Sequence, residues 1–161
     1  MDLSFNLLHD IPDLSPFTRL QDVYFVQNKI SKLPTFPPLL HLRSLELGAN
    51  RLRAITGLDA LVNLEQLYVG KNKIEQLCGL AHLTKLKLLS IQSNRLKKME
   101  GLSTLVALEE LYISHNALET VEGLEHNVIL LLFLTLSALI DGALAQPHHS
   151  RHLGQSHPFP A

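Results

Sequence analysis

The sequence predicts an α/β solenoid: 22-residue coils side by side, a concave parallel sheet, and short 3₁₀ turns on the convex side. Three observations predict it. Asn6, Asn28, Asn50, Asn72, Asn94 and Asn116 recur at a strict spacing of 22 residues. Around the last five, six apolar columns are filled at all 30 positions. Only about a dozen residues separate each asparagine from the next strand, too few for a long returning helix.

Taken in order, the coils justify the prediction one by one. The first opens at Met1 and carries Asn6, and the second, around Asn28, uses Phe25 and Phe36 as bulkier substitutes for leucine. The third reads Leu42, Leu45, Leu47, Asn50, Leu52, Ile55 and Leu58. The fourth repeats it as Leu64, Leu67, Val69, Asn72, Ile74, Leu77 and Leu80, and the fifth as Leu86, Leu89, Ile91, Asn94, Leu96, Met99 and Leu102. The coil around Asn116 matches. Residues Arg43 to Gly48 alternate with the period of a half-buried strand, which predicts Leu45 and Leu47 inward and Ser44, Glu46 and Gly48 outward. Each asparagine should end its strand and turn inward, where an unpaired amide would cost ~1–3 kcal/mol. It is therefore expected to bond the backbone of its own and adjacent coils. Pro12, Pro16, Pro34, Pro37 and Pro38 fall on the return path, where a missing N–H does no harm.

Composition limits what the scaffold can do. The 161 residues suit one domain. Fourteen basic and fifteen acidic residues nearly balance, so no overall pull toward nucleic acid or anionic membrane is expected. The single cysteine, Cys78, forms no internal disulfide and fits a reducing compartment. Met1 to Asp10 lack a basic region followed by an apolar run, so no secretion signal is expected. No phosphate-binding glycine loop, zinc spacing or nucleophile elbow appears, and no cofactor is expected. Cys78 lacks the partners of a nucleophile, and His115 reads as structural.

The columns match the leucine-rich consensus. The phrases "MDLSFN", "LELGANR", "YVGKNKI", "IQSNRL" and "ELYISHN" further resemble the regulatory subunit 7 family of protein phosphatase 1, especially its fungal forms, over roughly residues 1 to 127. That resemblance implies a non-catalytic subunit, monomeric here, that binds the catalytic subunit of the type-1 serine/threonine phosphatase in nucleus and cytoplasm. It also implies a grip by acidic and aromatic residues of the concave face. By motif these are Asp2, Tyr24, Glu46 and Tyr68. Spacing independently puts the four in one line, each four residues before its asparagine. Ser90 and Tyr112 continue the line, with Asp22 and Glu110 beside it. Family members carry more repeats, so only the first part of their contact line is present.

The pattern stops after Glu125, and Ala138 stands where the next asparagine is due. Residues 128 to 140, VILLLFLTLSALI, form an apolar run too short to cross a bilayer core of about 30 Å as a helix. The preferred reading makes residues 128 to 145 an improvised cap on the last coil, with Leu130 and Phe133 in repeat columns. The alternatives are a truncated product that binds no phosphatase, and a membrane-tethered scaffold. Residues 146 to 161, rich in histidine and proline, read as a disordered tail; His148, His149, His152 and His157 lack the frame of a metal site. Lys29, Arg51, Lys73 and Arg95 form a basic row, read as a solvated edge in preference to an acidic-partner or nucleic-acid contact.

Overall fold

In the computed structural model, which describes residues 1–120 and the strand Leu131–Phe133, the chain winds through a regular succession of strand and return path. Six three-residue strands lie in chain order in one parallel sheet: β1 Asp22–Tyr24, β2 Ser44–Glu46, β3 Gln66–Tyr68, β4 Leu88–Ser90, β5 Glu110–Tyr112 and β6 Leu131–Phe133. Asp2 extends the sheet at its near edge through a parallel bridge to Tyr24. The middle residue of each of the first five strands, Val23, Leu45, Leu67, Leu89 and Leu111, is fully buried. Their partners in the register are one another, so the aliphatic columns become continuous walls of the core.

A seventh apolar column, unrecognised in the sequence pattern, also enters this core: Leu39, Leu61, Leu83 and Leu105 are all buried. Their N–H and C=O groups make the return path. Leu61 donates to Leu58 O and Leu64 donates to Leu61 O, at 2.9 and 3.0 Å, and the same pair of bonds recurs at 80, 83 and 86 and at 102, 105 and 108. The expected i→i+3 turns are thus single turns set end to end. Three-residue steps keep a leucine at each junction pointing inward.

Backbone strain is confined to one position per coil. Phe5, Gln27, Ala49, Lys71, Ser93 and His115, each just before an asparagine, have φ between 53° and 57°. Left-handed backbone costs a non-glycine residue about 1–2 kcal/mol, and here the chain uses it to break sharply out of the strand. The N–H at that point donates to the next coil, as in Ala49 to Gly70 O at 2.9 Å and Lys71 to Gln92 O at 2.8 Å. A second left-handed position falls on glycine. At Gly79 a Cβ would lie 2.2 Å from Ile55 O, so neither the backbone angle nor the neighbouring coil admits a side chain.

One sequence expectation is refined and one corrected. Ser44 stands in the outward row between Asp22 and Gln66, as expected, yet it is only 6% exposed, so it offers a partner little surface. The last strand also slips by one residue: Leu132, not Phe133, is the partner of Leu111, and Phe133 stands opposite Tyr112. Leu130 precedes the strand and lies outside the described residues. The run VILLLFL is apolar in both phases of a strand, so its pattern does not fix the register. The remainder of 128 to 145, the tail from 146, and the readings placed on them also lie outside the described residues. No helix among the described residues is long and apolar enough to cross a membrane.

Candidate protein-binding face

The asparagines fix the geometry on which the concave face depends. Asn72 donates through Nδ2 to Val69 O and Gly70 O of its own coil and to Leu47 O of the coil before, at 3.0, 3.2 and 3.0 Å. Its Oδ1 accepts the N–H of Leu52 at 2.9 Å. Asn28, Asn50, Asn94 and Asn116 repeat the set, with Nδ2 reaching the preceding coil at 2.8 to 3.1 Å. Asn6 differs. It is exposed and bonds only Leu3 O and Ser4 O.

Held at one register, the outward residues fall into rows across the sheet. The central row runs Asp2, Tyr24, Glu46, Tyr68, Ser90, Tyr112, each the register partner of the next. With strands about 4.8 Å apart, Tyr24 and Tyr68 flank Glu46 at roughly 10 Å from each other. A second row holds Asp22, Ser44, Gln66, Leu88 and Glu110. The structure thus brings Asp2, Tyr24, Glu46, Tyr68 and Tyr112 into one line and sets Asp22 and Glu110 four strands apart beside it. A third row, Ser4, Val26, Gly48, Gly70, Gln92 and Ser114, was not singled out in the sequence, though it stands two residues before each asparagine. At Gly48 a Cβ would meet nothing closer than 3.6 Å. Packing therefore does not demand glycine there, and its effect is to leave open ground beside Glu46.

The rows carry carboxylates and phenols and contain no lysine, arginine or histidine among the described residues. Tyr112 donates from its hydroxyl to Glu110 Oε2 at 2.7 Å. That bond to a carboxylate, with partial burial and the carboxylate charge, holds the Tyr112 phenol above its ordinary value. Burial, then the charges of Glu46 and Glu110, push Tyr68 the same way. Asp2 is lowered by the hydroxyl and N–H of Ser4, the latter bonded at 2.9 Å. The face is acidic, aromatic and half-buried.

Just outside these rows lies a charge ladder that the sequence reading missed. Arg43 and Lys87 both bind Glu65, Lys87 at 2.9 Å, so one carboxylate bridges three coils. The signal was present as alternating charge at one column: Arg43, Glu65, Lys87, Glu109. Among the described residues no group of three or more His, Cys, Asp or Glu could hold a metal ion. Cys78 is exposed, its thiol 3.8 Å from Ile55 O.

A leucine-rich repeat family model matches residues 16–98, more than half of the chain. The chain belongs to the leucine-rich repeat family. A second model, of two leucine-rich repeat copies, matches residues 84–126. Among solved structures, the leucine-rich repeat chain is similar to an internalin from Listeria monocytogenes, at 30% identity and a TM-score of 0.63. The likeness covers 71% of this chain and 34% of the internalin, so this chain spans about a third of that protein's length. No curated protein matches.

Proposed function

We propose that this leucine-rich repeat chain is a non-catalytic regulatory subunit that holds the catalytic subunit of type-1 serine/threonine phosphatase against its concave face, in nucleus and cytoplasm. The observation that carries the reading is the central row, in which Asp2, Tyr24, Glu46, Tyr68 and Tyr112 stand in register on five different coils. Large rings with a polar tip, set among carboxylates on a rigid sheet, are the residue types that dominate binding energy in protein interfaces. A face without cations selects a partner surface that supplies them. The repeated phrases of the sequence, from "MDLSFN" to "ELYISHN", favour the phosphatase as that partner.

Calorimetric titration of the full chain with the type-1 catalytic subunit tests this. Replacing Tyr24, Glu46 and Tyr68 together by alanine is expected to weaken binding by about a hundredfold or more. Unchanged affinity in the triple variant would displace the contact from the concave face. No binding by the unaltered chain would remove the phosphatase from the proposal.

A further inference from the structure

The flank where the chain leaves each strand carries cations of a different kind from those of the opposite flank. Lys29, Arg51, Lys73 and Arg95 follow successive asparagines, and their backbones are stacked by an unbroken ladder. The N–H groups of Arg51, Lys73 and Arg95 each donate 2.8 Å to a carbonyl of the coil before. A few residues further on, Arg53, Lys97 and Lys98 join Arg95 around a concavity of about 710 Å³. Two carboxylates, Glu75 and Glu100, also line it, against four cations. Across the molecule Arg43 and Lys87 are both committed to Glu65. On this flank, among the described residues, only Arg95 has an ion-pair partner, Glu75 at a loose 3.9 Å.

Cations set one strand spacing apart and outnumbering the carboxylates among them repel one another. A fold that holds them in a column keeps a positive field which an anionic partner would relieve. We infer that this flank is a second docking surface, separate from the concave face, that takes an acidic protein segment centred on Arg53, Arg95, Lys97 and Lys98. Two features select a protein segment over nucleic acid. The only aromatics between residues 29 and 100 are Phe36, which is buried, and Tyr68, on the concave face, so no ring on the flank can stack a base. The column Arg51, Lys73 and Arg95 that runs into this site repeats at about 4.8 Å, close to the 5–6 Å between carboxylates three or four residues apart on a helix.

The test uses the full chain and a fluorescein-labelled helical peptide with glutamates four residues apart, read by anisotropy. Its glutamine counterpart and an oligodeoxythymidine serve as comparison probes. The acidic peptide should bind in a salt-sensitive way, and R53Q/K97Q/K98Q should weaken it about tenfold. R19Q/K85Q, which removes charge elsewhere, should leave it unchanged, as should the triple alanine variant of Tyr24, Glu46 and Tyr68. All variants are compared at matched melting temperature. The assignment is overturned by no binding, by equal loss in R19Q/K85Q, or by tighter binding of the oligonucleotide than of the peptide.

Discussion

Each interior asparagine serves two coils at once, with three carbonyls bonded through Nδ2 and one N–H through Oδ1. Removing that side chain at Asn72 leaves the N–H of buried Leu52 without its acceptor and the carbonyl of Leu47 with Asn50 Nδ2 alone. Asn72→Ala is expected to destabilise the chain by about 3 kcal/mol in urea unfolding. Asn6→Ala should cost about 0.5 kcal/mol or less, because Asn6 is exposed and bonds only within its own turn. Equal losses at the two positions would mean that the bonds between coils contribute nothing. The same residue type at the same spacing thus has two different energies, and the difference lies in whether a coil precedes it.

Of the first five strands four bury one side chain and β2 buries two, so the element as such is weak and its neighbours hold it. The Arg43–Glu65–Lys87 ladder shows how the exposed margin adds to this. Glu65 is lowered below the ordinary 4.5, first by its bond to Lys87, and Lys87 is raised above 10.5, first by its bond to Glu65. A lowered acid stabilises the fold above its unfolded value and loses that contribution as pH falls through the folded one. A raised base contributes below its unfolded value and loses it as pH rises through the folded one. The melting-temperature difference between the unaltered chain and Glu65→Gln should therefore be flat from about pH 6 to 9 and shrink below pH 4. Because all three groups face solvent, added salt should reduce it at every pH. A difference that persists at pH 3 would show that packing, and not charge, is responsible.

At the scale of the molecule the coil is the unit of stability, since each contacts only its neighbours. Removing residues 62–83 joins equivalent positions and should leave a cooperative melt at lower temperature, readable by circular dichroism. Removing half that length, residues 62–72, puts return path against strand and should abolish the transition. Two intact melts would exclude the register as the source of cooperativity. The solenoid also separates two charge fields that the near-neutral total conceals: carboxylates on the concave rows and a surplus of cations along the strand-exit flank.

Much of this was legible in the residues themselves. A 22-residue period in Asn28 through Asn116 is enough to place the strands, to line up Asp2, Tyr24, Glu46 and Tyr68, and to exclude a long helix, because periodicity is carried by local side-chain type. The left-handed backbone at Ala49 and Lys71 left no such mark, since the residues there share no chemistry and their angle is imposed by the coil ahead. Leu61 and Leu83 are buried only because end-to-end turns aim them inward. Ser44 is enclosed by neighbours that are distant in sequence, and VILLLFL reads equally well in either phase. Those points depend on contacts between coils, which the chain acquires only once it is stacked.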